Sequence, residues 1–88
     1  MMGSASITEL RSELDAVDER LVTLLNERAR LSLRVRALKG VAGSGSYDAR
    51  REAEIFTQVR AANEGPLYDD QVQELFAAVL KVMKELRA

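Results

Sequence analysis

Four cations and two carboxylates carry the chemistry that this chain's spacing permits. Apolar residues recur at Ile7, Leu10, Leu14, Val17, Leu21 and Leu24, and again at Leu31, Val35 and Leu38. The step after Leu24 lands on Arg28, a cation where the pattern asks for an apolar residue. An unpaired guanidinium in an apolar seam is costly, so Arg28 should face a carboxylate or a ligand anion. Lys39 follows eleven residues later. At ~100° per residue it returns to within about 20° of the same helix face, ~16 Å along the axis. Two long side chains at that spacing can converge on one small dianion. Asp48, Arg51 and Glu52 then share a face through three- and four-residue steps. Folded back over Arg28 and Lys39, that face closes a pocket with several cations and a carboxylate. Arg11 does not fit the same pocket within one chain. It lies seventeen residues before Arg28, ~25 Å along the helix and roughly 100° around it. In an antiparallel pair of chains it reaches the partner's Arg28 region.

Each of these residues also has a plainer reading. Arg11 can pair with Asp15 on an exposed surface, where ion pairs are common and worth little. Arg28 can serve a structural ion pair with another helix. Lys39 near a helix C-terminus favours the dipole. Asp48 can be a cap alone, and Arg51 with Glu52 a solvated charged turn.

The elements that must hold these residues follow from the same pattern. From Thr8 to Gly40 there is no proline, and no glycine before the end. The alternating three- and four-residue steps describe one continuous helix with an apolar seam. Ser6 or Thr8 is the expected cap, with a full capping box expected at neither. Gly40 suits the C-cap, and VAGSGS supplies a flexible connector. Asp48 is a good N-cap for a second helix over 48–63, with Ile55, Phe56, Val59 and Ala62 as its apolar stripe. Asn63, Glu64, Gly65 and Pro66 break it. Asp69 or Asp70 opens a third helix that runs to the C-terminus, with Val72, Leu75, Phe76, Val79, Met83 and Leu86 as its buried face. Residues 1–5 read as a loose tail, and the whole of 1–88 as one domain. About 33 residues make a first helix of roughly 50 Å, against a radius of gyration of only ~12 Å for a compact chain of this size. A seam running that whole length needs cover from a second chain. The expected architecture is all-α, one long and two shorter helices per chain, joined in an intertwined homodimeric helical bundle.

Composition narrows the function. The 88 residues include 13 basic and 14 acidic side chains, a net charge of −1, so no global field attracts nucleic acid or a membrane surface. There is no cysteine, histidine or tryptophan, which removes disulfides, thiol nucleophiles, imidazole catalysis and the usual zinc sites. No metal and no cofactor is expected. The start MMGSAS has no basic segment followed by an apolar run, no stretch nears 18 apolar residues, and a cytoplasmic location is the default expectation.

Taken together, LRSELDAVDERLVTLLNERARLSLRVRALKG, YDARREAEIF and NEGPLYDDQVQELFAAVLK resemble the all-helical chorismate mutase family over nearly the whole chain. NEGPLYDDQVQELF, residues 63–76, looks most like mutase domains fused to, or associated with, DAHP synthase in some bacteria. The resemblance implies an isomerase that rearranges chorismate to prephenate in phenylalanine and tyrosine biosynthesis. It implies that Arg11 from the partner chain, Arg28 and Arg51 grip or support the two substrate carboxylates. Lys39 matches the lysine at the ether oxygen of the breaking bond, and Glu52 and the Asp48 main chain match groups that hold the ring hydroxyl. Met83 and Arg87 depart from the pattern, standing where the family usually has a small or polar residue and a glutamine or glutamate. Weaker catalysis is therefore expected. The rival reading is a regulatory domain that binds chorismate or prephenate and controls a DAHP synthase.

Overall fold

The computed structural model describes residues 6–39 and 48–87. The expected tail, the Gly40 cap and the glycine-rich connector lie outside the described residues. Three helices are present, α1 (Ile7–Lys39), α2 (Ala49–Ala62) and α3 (Asp69–Lys84). Among the described residues there is no strand, and the fold is all-α as the periodicity predicts. Contacts divide the chain into two units, Met1–Leu31 and Ser32–Ala88.

The described part of the first unit is the opening of α1. Its start corrects the capping expectation. The Glu9 amide donates to Ser6 Oγ at 3.1 Å, and the Ser6 amide donates to Glu9 Oε1 at 2.8 Å. These reciprocal bonds are a full capping box, and they satisfy two N-terminal donors that the helix itself leaves unpaired. Hydrogen bonds from Ser6, its amide first and its side chain second, hold the Glu9 carboxyl below the usual carboxylate range.

The second unit is built around α2 and α3, which pack against each other. Asn63 organises the turn between them. Its amide nitrogen donates to the Leu67 carbonyl and to Asp69 Oδ1, both at 2.8 Å, while its side-chain oxygen accepts from the Gly65 amide at 3.1 Å. Gly65 sits at φ +77°, where a side chain would be strained. Gln71 Oε1 accepts from the Tyr68 amide at 3.0 Å and helps start α3.

The core of this unit is small. Ile55 of α2 and Leu80 and Met83 of α3 are buried, with Phe56, Val59, Val72, Phe76 and Val79 half-buried beside them. Three positions differ from the sequence expectation. Leu80 is buried, whereas Leu75 is 56% exposed. The face that α3 turns toward its own chain is rotated toward the 72–76–80–83 line. Ala62 is also exposed.

The α1 seam shows a larger difference. All nine of its apolar residues, from Ile7 to Leu38, are exposed in the single chain, the least being Val17 at 39%. The half-buried residues near the C-terminal end of α1 are instead Ser32, Leu33 and Arg36. A helix can have two faces with different partners, and the period marks only the more apolar one.

Helix α3 does not run to the C-terminus as expected. It ends at Lys84, and Glu85 caps it with φ −91° and ψ 1°. Arg36 of α1 reaches this end. Its part-buried guanidinium donates to the Leu86 carbonyl at 2.7 Å, to Met83 at 2.9 Å and to Lys84 at 3.5 Å. The last carbonyls of a helix have no partners of their own, and a cation there also favours the dipole. Arg36→Met should lower the free energy of unfolding by about 1.5–3 kcal/mol, the usual worth of hydrogen bonds from a charged donor. It should also speed amide exchange at Glu85 and Leu86. Urea denaturation at fixed protein concentration and exchange measured by NMR check both, and Arg36→Lys should recover only part of the loss.

Candidate functional site

The second unit gathers four of the predicted residues around the end of α1 and the first turn of α2. Asp48 is the N-cap of α2, in extended backbone at φ −142° and ψ 98°. Its Oδ1 accepts from the Arg51 amide at 3.1 Å, and its Oδ2 lies 3.7 Å from Lys39 Nζ. Cap and ion pair are thus two duties of one carboxylate. The hydrogen bond from the Arg51 amide is the main reason that its carboxyl is held below the usual range. Desolvation opposes the shift, and the Lys39 ammonium adds to it.

Glu52 follows on the same turn. Its Oε2 lies 2.7 Å from Lys84 Nζ, with both side chains half-buried. Arg51 turns its guanidinium along the helix to Glu54 Oε1 at 3.5 Å. Glu54 also lies 3.9 Å from Arg50 Nε. The expected pocket face of Asp48, Arg51 and Glu52 is present as a helical turn, and each member has a separate ionic partner.

The remaining predicted residues are placed as follows. Arg28 is half-buried and Arg11 exposed, both on α1 in the first unit. Met83 is 7% exposed and belongs to the core. Arg87 is exposed and lies beyond the end of α3. A helix continued to the C-terminus would set Met83 and Arg87 one turn apart on one face, and α3, ending at Lys84, does not do so.

Sequence reasoning missed Lys84, Glu54 and Arg36. Lys84 stands four residues after the buried Leu80, at the edge of the core face, where a lysine stem can run along apolar surface. That position was the available signal. Glu54 had one in its spacing from Arg50 and Arg51. Arg36 had a weaker one in its step from Ser32 and Leu33.

The charges gathered here are lysines and arginines, each beside a carboxylate. Among the described residues no group of three histidine, cysteine, aspartate or glutamate side chains could hold a metal ion, and no helix is long and apolar enough to cross a membrane. Such a cluster can bind an anion, and it can stabilise charge that develops on an oxygen.

Asp48 supplies a direct test of this geometry. Its carboxyl should titrate below the usual aspartate range in the folded chain, as read by carbon NMR. Lys39→Gln should move the midpoint up only slightly, because the Arg51 amide is the larger cause. A lowered folded pKa stabilises above the unfolded value and is lost as pH falls through the folded one. The start of α2 should therefore loosen only in that acid range.

Comparison with known proteins agrees with this picture. The profile of the family described as chorismate mutase type II matches residues 10–88. A bifunctional chorismate mutase/prephenate dehydratase of Aquifex aeolicus is 32% identical over 92% of this chain. One from Neisseria gonorrhoeae is 35% identical over 88% of it. The chain spans only about a quarter of the length of these relatives, 25% and 22%. Among solved structures, a chorismate mutase of Thermus thermophilus in its form II superposes with a TM-score of 0.86 at 35% identity, covering 91% of each chain. Form I gives 0.82 at the same identity, covering 88% of this chain and 96% of that one. With a family profile matched over almost all of its length and a solved relative superposing over nine-tenths of each, this chain belongs to the chorismate mutase type II family.

Proposed function

We propose that the chain is a chorismate mutase, converting chorismate to prephenate by an intramolecular pericyclic rearrangement. The observation that carries this reading is the group Lys39, Asp48, Arg51 and Glu52 at the start of α2, in a chain of that family. The reaction needs no nucleophile and no proton transfer, so the lack of histidine and cysteine is no obstacle. The protein must hold a compact conformer that is scarce in water. It must also place fixed donors where negative charge grows on the ether oxygen.

In this reading Lys39 donates to the ether oxygen. Arg28, Arg51 and Arg11 of the partner subunit grip or support the substrate carboxylates. Glu52 and the Asp48 main chain hold the ring hydroxyl. Arg87, beyond the end of α3, takes the place of the second ether donor. The functional unit is a homodimer in the cytoplasm. The uncovered apolar seam of α1 supports it, because a stripe of that extent asks for a partner. A companion enzyme of aromatic amino-acid biosynthesis is also proposed. The relatives' names join a mutase to prephenate dehydratase, and the 63–76 segment of this chain resembles mutases associated with DAHP synthase. A regulatory role toward such an enzyme is the alternative.

Loss of chorismate absorbance with the isolated chain tests the activity, and no turnover at any concentration would refute it. Lys39→Ala should lower kcat by roughly a hundred- to a thousandfold, the usual effect of removing one such donor. A rise in KM alone would reduce Lys39 to an anion holder. Arg11→Ala and Arg28→Ala should each be nearly inactive alone. Refolded together they should regain activity, because one site of each mixed dimer carries neither change. Absence of recovery would count against a shared site.

A further inference from the structure

Lys84 has no assigned part in the reading above, yet it makes the shortest ion pair around the candidate site. Its Nζ lies 2.7 Å from Glu52 Oε2, and the two side chains are only 34% and 21% exposed. The contrast is Lys81 with Glu85 on the outer side of α3, 3.0 Å apart but 75% and 61% exposed. Exposed pairs of that second kind contribute little. The Lys84 pair joins two helices instead of two turns of one. Its backbone is also anchored, since Arg36 donates to the Met83, Lys84 and Leu86 carbonyls. The ammonium therefore starts from a fixed point and reaches a fixed carboxylate.

Glu52 poses a problem for a dianionic substrate. A carboxylate near the binding position can accept a hydrogen bond from an alcohol, but it also repels the substrate's own carboxylates. Its oxygens can be used as acceptors only if their charge is offset and their orientation held. We propose that Lys84 is the positioning residue for Glu52, fixing its carboxylate and offsetting its charge so that it accepts from the substrate alcohol without repelling the dianion. Asp48 meets the same demand through Lys39 and the Arg51 amide. Lys84 thus acts through Glu52 and need not touch the substrate. The inference rests on the chorismate reading given under Proposed function.

The test is steady-state kinetics on the full chain, with circular dichroism to confirm folding. Lys84→Met leaves Glu52 uncompensated and should raise KM by roughly ten- to a hundredfold, with kcat within about threefold. Lys84→Arg should keep KM near the wild-type value. The deciding variant is Lys84→Met with Glu52→Gln. Its KM should fall back to within about threefold of Glu52→Gln alone, because the stranded charge is gone. A tether that merely joins α2 to α3 is already broken in Lys84→Met, so the double variant would keep at least that variant's raised KM instead of improving on it. That result, or an unchanged KM in Lys84→Met, overturns the proposal. If Lys84→Met fails to fold, Lys84→Gln keeps a polar side chain of similar course and is judged by the same criteria. If the wild-type chain shows no turnover, the activity reading fails on its own. Calorimetric titration with chorismate then decides on Lys84 through the same pattern in Kd, and absence of chorismate binding overturns this proposal too.

Discussion

The last carbonyls of a helix need donors from somewhere, and in this chain a side chain from another helix supplies several of them beside the amides that follow the helix. Arg36 reaches three carbonyls at the end of α3. That contact holds the end of α3, around which Met83, Lys84 and Arg87 stand. Lys84 leaves the last turn of α3 pointing at Glu52, while Met83 stays in the core. Arg87 falls beyond the helix. The backbone acceptors at this side of the candidate site are thus held in part by a side chain of another helix.

Around the start of α2 the pattern is consistent charge pairing. Lys39 lies beside Asp48, Lys84 beside Glu52, and Arg51 beside Glu54. Cations held this way are already oriented when an anion arrives. Little reorganisation is then needed, which is the condition under which fixed dipoles and charges stabilise a developing oxyanion best. It also limits the repulsion that a bare cluster of lysine and arginine would create within a chain of near-zero net charge.

Features that depend on neighbours in sequence were legible. The helix break at Asn63–Pro66, the Asp48 cap and the Ile55, Phe56 and Val59 stripe all follow from local chemistry, and the structure has them. The Ser6–Glu9 box was legible too, since its three-residue spacing is the signature, although the expectation set it aside. The Lys84–Glu52 pair was not. Those residues are separated by the whole α2–α3 turn, and their meeting depends on the register of two packed helices. The seam of α1 was read correctly as apolar. A hydrophobic period shows which face avoids water without showing what covers it, so Ser32, Leu33 and Arg36 on another face passed unnoticed. Among the candidate site residues, the places of Lys39 at a helix end and Asp48 at a helix start were legible because an end cation and a cap are strong local signals. Arg87 was placed on a helix because nothing in its neighbourhood announces that α3 stops three residues earlier.

The Arg36 contacts span 47 to 50 residues of sequence, whereas α2 and α3 meet across a short turn, with Arg60 reaching Gln73 only 13 residues away. Closing a short loop costs less entropy than closing a long one. The α2–α3 hairpin is therefore the natural first structure of this unit as it folds, and the docking of Arg36 onto the end of α3 comes late. Contacts made late leave the folding rate nearly untouched and act instead on the rate of unfolding. On that hypothesis Arg36 acts as a latch, and its removal should speed unfolding more than it slows folding.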